Sequence, residues 1–244
     1  MRIAVLADIH GNIDALLAVV EDLKTQSPDL TVNLGDCLSG PLWPAEAADY
    51  LIAQGWPTVR GNHDRWLTSP LSSPGPWEKD TLPQLAADHL AWLAALPPTL
   101  IVADAFLFHA APNSDTTYLL HHVRPDGTFA PSPLPRIRDL VQGVPERLLL
   151  CGHTHLAGAA RLPDGRLIVN PGSVGAPGYE DDHPVYHRVE AGTPHACYAI
   201  LDRRHDSWSV TFRRIPYDTT RAVARAKGHR DWISALGTGW LPET

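Results

Sequence analysis

The sequence has few cysteines, a deficit of positive charge and no long apolar run. Its three cysteines, Cys37, Cys151 and Cys197, are widely spaced and include no CxxC pair, so they indicate neither a zinc site nor a disulfide framework. We therefore expect a reducing, cytoplasmic environment. No stretch approaches the roughly 18 to 20 apolar residues that a membrane helix requires. The apolar run before Asp8 is also too short for a signal peptide.

The charge balance limits the class of partner. With 20 Lys and Arg against 27 Asp and Glu, the formal net charge is −7, which disfavours a surface for non-specific nucleic-acid binding. A small phosphorylated substrate, including a nucleotide, remains compatible, because bound cations can reverse the potential inside a cleft. The apolar fraction of 44% is typical of a packed globular protein. We expect a single domain over residues 1–244, and the sequence leaves its oligomeric state open.

The first 64 residues alternate between apolar runs and helical patterns. The pattern predicts strands over 3–7, 30–34 and 58–60, and helices over 13–23 and 44–54. Strand, helix, strand, helix, strand is the signature of a parallel sheet with helices on its faces. Polar side chains at the carboxyl ends of such strands meet along one edge, where ligands bind. Asp8, Asp36 and Asn62 occupy positions of this kind.

The second half of the chain predicts further strands. These are short runs before His109 and before Gly152, a strand over 166–170, and a hairpin over 196–201 and 208–214. We expect these mixed strands to form a second sheet, followed by terminal helices. The segment 69–83 is predicted to be a surface loop, and 111–135 a long irregular insertion.

Five short polar blocks each follow an apolar strand. They are DIHGN at 8–12, GDC at 35–37, GNHD at 61–64, FHA at 108–110 and GHTH at 152–155. In an extended segment alternate residues point the same way, so we expect Asp8 with His10, and His153 with His155, to present two ligands to one place each. This mixture of carboxylate, imidazole and amide oxygen suits Mn, Fe, Zn or Ni.

The five blocks, in this order, resemble the DxH, GD, GNH(D/E), H and GHxH pattern of the calcineurin-like metallophosphoesterase superfamily. The turn at 170–175 resembles that of its small bacterial phosphodiesterase members and extends the likeness to about Gly175. The resemblance implies an α/β fold, a four-layer αββα sandwich of two mixed β-sheets flanked by helices. It also implies two metal ions, one held by Asp8, His10, Asp36 and His155, the other by Asp36, Asn62, His109 and His153.

The third block and the residue before it supply three candidate catalytic residues, of which the resemblance implies the first. His63 matches the histidine near the leaving group, Asp64 is expected to orient its ring, and Arg60 to bind a phosphate oxygen. Two metals roughly 3.5 to 4 Å apart would clamp the entering and leaving oxygens and supply a bridging hydroxide near neutral pH. We expect in-line attack by that hydroxide, with His63 protonating the leaving group.

The expected function is hydrolysis of phosphodiester or phosphomonoester bonds in small molecules, with nucleotides as the leading class. Dinucleoside polyphosphates are one option, because the 8–12 block resembles that of bis(nucleosyl) tetraphosphatases. A Ser/Thr phosphoprotein phosphatase shares the VRGNH run at 59–63, and a non-catalytic protein-binding scaffold is a third hypothesis. Trp43 and Tyr118 are the aromatic residues we expect in the cleft, whereas His121 and His122 are expected in solvent.

Overall fold

Two mixed β-sheets packed face to face form the centre of the protein. The computed structural model describes residues 1–69 and 74–243. Its strands are β1 (Arg2–Leu6), β2 (Leu30–Asn33), β3 (Thr99–Val102), β4 (Ala105–Phe108), β5 (His121–Val123), β6 (Phe129–Pro131), β7 (Leu148–Leu150), β8 (Ala157–Arg161), β9 (Leu167–Pro171), β10 (Gly178–Asp181), β11 (His187–Glu190), β12 (Ala196–Arg204) and β13 (Ser207–Ile215). Its helices are α1 (Ile13–Gln26), α2 (Pro44–Gln54), α3 (Asn62–Thr68), α4 (Pro76–Thr81), α5 (Ala87–Ala95), α6 (Leu134–Leu140), α7 (Thr220–Arg225) and α8 (Arg230–Thr238), with a 3₁₀ turn at Leu82–Gln84.

The two sheets differ in how many of their strands run parallel. The first has the order β13-β12-β1-β2, in which only β1 and β2 are parallel. The second has the order β3-β4-β7-β9-β8, with β4, β7 and β9 parallel and both edge strands antiparallel. The predicted hairpin near the end of the chain therefore exists, but it joins the first sheet, and its expected place in the second sheet is wrong.

Alternation along β1 sends its side chains into two different cores. Ile3 and Val5 lie in a core shared with the second sheet, whereas Ala4 and Leu6 lie in a core shared with α1 and α2. On the far side of the second sheet, β4, β7 and β9 share a third core with Ile137 of α6. The order of layers is helix, sheet, sheet, helix, which confirms the predicted four-layer αββα sandwich.

The first two helices begin and end for local reasons that were readable in the sequence. The Asn12 side chain accepts a hydrogen bond from the Ala15 backbone N–H and caps α1, which stops where Ser27 turns left-handed. Pro44 opens α2, and Gly55, at φ +60°, closes it.

Three sequence predictions need correction. The segment 58–60 is no full strand, and only Thr58 bridges Asn33 of β2 in parallel. Of the predicted loop 69–83, residues 70–73 lie outside the described part of the chain, and the rest contains α4 and most of the 3₁₀ turn. The 111–135 insertion contains the β5–β6 hairpin and the start of α6, so it is more ordered than expected.

No helix among the described residues is long and apolar enough to cross a membrane. The three cysteines are free and buried.

Candidate metal centre

The five polar blocks lie at one end of the two sheets, the first, second and fifth in sharp turns, the third at the start of α3 and the fourth at the end of β4. Five of their residues, although not glycine, have positive φ between 50° and 69°: Asp8, His10, Asp36, His153 and His155. Such a conformation is uncommon for residues with a side chain, although Asp and His adopt it more readily than most. Held strain of this kind is concentrated at functional sites. The expectation that these residues alternate along extended segments is wrong, because tight turns bring them together.

Asp8, His10 and His155 form the first group of potential ligands, with one atom from each within 4.8 Å of the others. The two rings donate Nδ1–H to the backbone oxygens of Ser39 and Ala176, at 2.8 and 2.7 Å. Their Nε2 atoms are therefore unprotonated and lie 3.2 Å apart, each with a lone pair directed toward the other. Two acceptors at this distance repel unless a cation lies between them, so the donor set fits a metal ion.

Asp36, His109 and His153 form the second group, again within 4.8 Å. The His109 ring donates Nδ1–H to the backbone oxygen of Leu34 at 2.7 Å, and its Nε2 lies 3.0 Å from Oδ1 of Asn62. His153 is turned the other way. Its Nε2 contacts the backbone oxygen of Thr116 at 3.1 Å, which leaves Nδ1 as the atom available to a metal.

Asp36 lies between the two groups. Its Oδ2 is 3.8 Å from Nε2 of His10 and 3.2 Å from Nε2 of His109, so a single oxygen faces both groups. Its Oδ1 accepts a hydrogen bond from the His63 backbone N–H at 3.0 Å. A Cβ at Gly61 would lie 2.0 Å from that Oδ1, which explains the glycine at this position. The carboxylate is thus held where a bridging ligand would be needed.

The titration behaviour of the site follows from burial and from its two carboxylates. Burial lowers the pKa of His10 to about 4 and that of His153 to about 3, so both rings are neutral and carry lone pairs at pH 7. Burial also opposes charge on His109, but Asp36 outweighs it and raises the pKa to about 10. Burial raises the pKa of Asp8 well above its usual range. The proton on Nε2 of His109, beside Asp36, supplies the positive charge that a bound cation would otherwise supply.

The pairs of histidines and carboxylates divide differently from the sequence prediction. Asp8 and His10 fall in one group as expected, but His153 and His155 fall in different groups. This division agrees with the ligand sets that the family resemblance implies rather than with the alternation argument. The reason is the turn geometry, because two left-handed residues flanking Thr154 point their rings apart.

His63 lies beside the two groups and has an acidic partner that the sequence analysis missed. Its Nδ1 is 2.6 Å from Oε1 of Glu78, a residue of α4 that is 2% exposed. Burial disfavours the charged ring, but Asp36 and Glu78 outweigh it and raise the pKa of His63. The ring of Trp77 stacks on the other side at 5.0 Å. No local motif marks Glu78, because α4 reaches the site only in the folded chain.

Asp64 does not orient His63, so that prediction is wrong. Its carboxylate instead accepts three backbone hydrogen bonds, from Asp36, Cys37 and Gly61, at 2.9, 2.9 and 3.0 Å. It therefore joins the turn after β2 to the start of α3. Its effect on the site is indirect, through the position of Asp36.

The groups open into a cavity of about 810 Å³. Asp36, Asn62, His153 and His155 line its inner end, and His63, Trp66, Trp77, Tyr118 and Tyr179 line its sides. Arg60 is not among the lining residues, so its predicted contact with a phosphate oxygen has no support. Among the described residues, the arginine that lines the cavity is Arg136.

The aromatic and histidine predictions have mixed outcomes. Tyr118 lines the cavity and stacks on His153 at 4.8 Å, as expected of a cleft residue. Trp43 does not line it and instead lies under the guanidinium of Arg221 at 4.0 Å. His121 and His122 are half-buried in β5 rather than in solvent, and His122 lines the cavity.

The turn at 170–175 supports the ligand turns from behind. Asn170 donates to the backbone oxygen of Gly152 at 2.6 Å, and the Ser173 hydroxyl donates to the backbone oxygen of Asp8 at 2.7 Å. The His153 backbone N–H donates to the Asp8 carboxylate at 3.0 Å. The first and last polar blocks are therefore locked to each other through backbone groups.

Two groups of Asp and His at the strand ends of an αββα sandwich, beside a cavity, are the features of a metal-dependent hydrolase site. The sequence model described as the Calcineurin-like phosphoesterase superfamily domain matches residues 1–194. The chain belongs to this superfamily and is a metal-dependent phosphoester hydrolase.

Two known proteins are similar along almost the whole chain. The crystal structure of a metallophosphoesterase from Sphaerobacter thermophilus is 25% identical, with a TM-score of 0.76, and the match covers 98% of this chain and 99% of that chain. The uncharacterized protein MJ0912 of Methanocaldococcus jannaschii is 25% identical over 262 residues, or 95% of each chain. Both matches extend beyond residue 194 and include the hairpin that completes the first sheet.

Proposed function

We propose that the protein is a dinuclear metal-dependent phosphoesterase that hydrolyses phosphodiester or phosphomonoester bonds of small molecules, with nucleotides as the leading class. The observation that carries the proposal is the position of Asp36, whose Oδ2 faces ligand atoms of both groups. One carboxylate oxygen between two sets of imidazoles suits two cations at short separation. Mn, Fe, Ni and Zn are the ions that accept this donor set.

The residues would divide between two metal sites. Asp8, His10, Asp36 and His155 would hold one ion, and Asp36, Asn62, His109 and His153 the other. When bound, the two ions supply positive charge to the phosphoryl oxygens and make a nucleophilic water available near neutral pH. The protein contributes the fixed positions of these ligands, since their rings are already oriented by backbone carbonyls.

His63 is proposed to act on the leaving group. Its Nδ1–H donates to Glu78, which leaves Nε2 as the atom that can give a proton to the leaving oxygen. Trp77 stacks on the ring and restricts its rotation. Asp64 has no part in orienting His63, since its carboxylate is engaged with backbone groups, and Arg60 has none in binding phosphate, since it does not line the cavity.

The cavity supports a small substrate. Its volume of about 810 Å³ falls within the range of ligand pockets, roughly 300 to 1,000 Å³. Trp66, Tyr118 and Tyr179 offer aromatic surface against which a nucleobase can stack. We also infer that residues 1–244 act as one domain, because β12 pairs directly with β1. A phosphoprotein phosphatase is the second candidate, favoured only by the run at 59–63.

The experiment is a substrate panel assayed after loading the metal-free protein with Mn, Ni, Fe, Zn or Mg. The substrates are bis-p-nitrophenyl phosphate, p-nitrophenyl phosphate, diadenosine tetraphosphate, cyclic nucleotides and a phosphopeptide. We expect turnover of nucleotides or of the diester with about two metal ions bound per chain, measured by elemental analysis. Preference for the phosphopeptide would contradict the substrate class, and full activity with one ion per chain would contradict the dinuclear centre.

A further inference from the structure

Arg136 is a cationic side chain in the cavity that no described carboxylate neutralises. It is the only Arg or Lys among the described residues that line this cavity. Its Nε is buried and has no hydrogen-bond partner within 1–69 and 74–243, and its Nη2 reaches the backbone oxygen of Tyr118 only at 3.4 Å. Burying such a donor without a partner costs free energy, so the group is suited to a ligand.

Arg65, in contrast to Arg136, is paired with a carboxylate. Arg65 lies on α3 and forms two hydrogen bonds to the carboxylate of Asp115, at 2.6 and 3.0 Å. Its charge is therefore already matched within the protein. Arg136 has no carboxylate within 4.0 Å in the described part of the chain, and its planar donor fork is available to an oxyanion.

The acidic residues on the cavity walls are each engaged elsewhere. Glu78 is paired with His63, and Glu180 accepts a hydrogen bond from the Tyr186 hydroxyl at 2.8 Å. Asp181 accepts a backbone hydrogen bond from His183 at 2.9 Å. These contacts hold the carboxylates in place and leave the positive charge of Arg136 facing the cavity.

His122 adds a second unsatisfied group to the lining of the cavity. It lies on β5 and lines the cavity, and its buried Nδ1 has no partner among the described residues. The neighbouring His121 faces away and stacks on Phe129 at 5.1 Å, as strand alternation requires. An imidazole and a guanidinium in one cavity, neither of them a candidate metal ligand, can together form a polar subsite.

Resting on the proposed function, we infer that Arg136 and His122 bind a second anionic group of the substrate, a phosphate apart from the one that is hydrolysed. The substrate class is therefore a small molecule with two phosphate groups or a polyphosphate chain. One phosphate lies at the metal ligands and the other at the Arg136 fork. The proposed function specifies the bond that is cleaved, and this inference adds a second phosphate group that the substrate must contain.

The test compares two substrates that differ by one phosphate, the p-nitrophenyl ester of thymidine 5′-phosphate and its 3′-phosphorylated counterpart. Arg136→Met should raise KM for the 3′-phosphorylated ester about tenfold or more, because charge-assisted hydrogen bonds are lost, and change the other KM by less than about twofold. Arg138→Met is the matched control, since Arg138 is exposed on the same helix and does not line the cavity. Equal effects of the two substitutions would overturn the inference.

A binding measurement separates this inference from the proposed function. Pyrophosphate is titrated calorimetrically into metal-free protein carrying Asp36→Ala, alone and combined with Arg136→Met, Arg138→Met or His122→Phe. We expect binding to be lost with Arg136→Met, weakened with His122→Phe and retained with Arg138→Met. If no metal gives turnover, the proposed function fails while this titration still decides the subsite. Binding that is indifferent to Arg136 overturns the subsite even if the enzyme is active.

The folded state of each variant is checked by circular dichroism and thermal unfolding. Arg136→Lys keeps the charge but removes the planar fork, so KM for the 3′-phosphorylated ester should lie between those of the wild type and Arg136→Met. A merely structural role for Arg136 would instead lower the thermal midpoint and raise KM for both esters alike. That pattern would overturn the inference.

Discussion

The inner end of the cavity and its outer wall are built in different ways. The floor, as we call the candidate ligands at and behind the inner end, consists of Asp8, His10, Asp36, Asn62, His109, His153 and His155. Most are fully buried, and all lie just after strand ends except Asn62, which opens α3. The wall consists of His63, Glu78, Tyr118, His122, Arg136 and Tyr179, which come from α3, α4, the 111–135 insertion, α6 and β10. The fold itself therefore positions the floor residues, whereas the wall residues depend on segments that pack around the sandwich.

The floor follows from the sheets. Parallel strands end at a common edge, so a polar residue after each strand arrives at the same place without any special loop. The wall has no such constraint, since its segments pack on the sandwich from outside. Loss of a floor residue should therefore abolish metal binding and turnover together, whereas loss of a wall residue should alter turnover or affinity with the metals retained.

The largest expected effect is that of Asp36→Ala. Removing the carboxylate that faces both groups should release both metals and lower kcat/KM at least about a thousandfold. Elemental analysis and turnover of the best panel substrate measure this. Asp206→Ala, an exposed carboxylate in the β12–β13 turn, is the control and should leave both quantities unchanged. Retention of one full equivalent of metal in the Asp36 variant would show that the two groups bind independently.

Gly61→Ala tests the floor without removing any ligand. The added Cβ would lie 2.0 Å from Oδ1 of Asp36, and since Gly61 has φ −84°, the effect is steric rather than conformational. We expect metal content and activity to fall, with a loss of stability of about 1–3 kcal/mol from overpacking. Gly237→Ala within α8, where the nearest atom to a Cβ is 3.9 Å away, is the control. An unaltered metal content would mean that Asp36 has more freedom than its contacts suggest.

The first wall prediction concerns His63 and Glu78. His63→Ala should lower kcat about a hundredfold with metal content nearly intact, because only proton transfer is lost. Glu78→Gln should lower kcat less, as it weakens the contact that holds the ring, and leave KM close to the wild type. Glu146→Gln, remote from this cavity, serves as the matched control. Metal loss in His63→Ala equal to that in Asp36→Ala would remove the distinction between floor and wall.

The sequence predicted most of the floor and little of the wall. Each floor residue follows a recognisable apolar run and belongs to a short block. Its position in the sequence therefore predicts its position in the fold. The alternation argument failed because the turns are left-handed at Asp8, His10 and His155, which no local pattern revealed. The sandwich itself was implied by resemblance, whereas apolar runs alone assigned the β12–β13 hairpin to the wrong sheet.

Two wall residues, Glu78 and Arg136, were missed because nothing in their local sequence marks them. Glu78 meets His63 across 15 residues, and its helix was hidden in a segment rich in Pro, Ser and Gly. Arg136 was overlooked because nothing local separates it from Arg138, two residues away. Arg60 was favoured only by its place next to a motif, and adjacency in the chain did not bring its side chain to the cavity.

The smallest effect on activity is expected far from both regions, at Asp22. Its carboxylate accepts hydrogen bonds from Arg213, at 2.5 and 2.7 Å, and from the Tyr198 hydroxyl, tying α1 to β12 and β13. The Arg213 hydrogen bonds lower its pKa below the ordinary 3.8. A depressed folded-state pKa contributes stability that is present above the unfolded value and lost as pH falls through the folded value.

Asp22→Asn should therefore lower the thermal midpoint at pH 7, by the equivalent of about 1 kcal/mol, with kcat and metal content unchanged. The difference from the wild type should stay constant above about pH 5 and begin to shrink below about pH 4, where the carboxylate of the unfolded chain takes up its proton while that of the folded protein, with its lowered pKa, is still charged. Thermal unfolding from pH 3 to pH 8 measures it, with Asp206→Asn as the exposed control. A parallel fall in kcat would mean that α1 transmits strain to the turn after β1, and the ligand turns would then depend on the helix layer as well as on the strands.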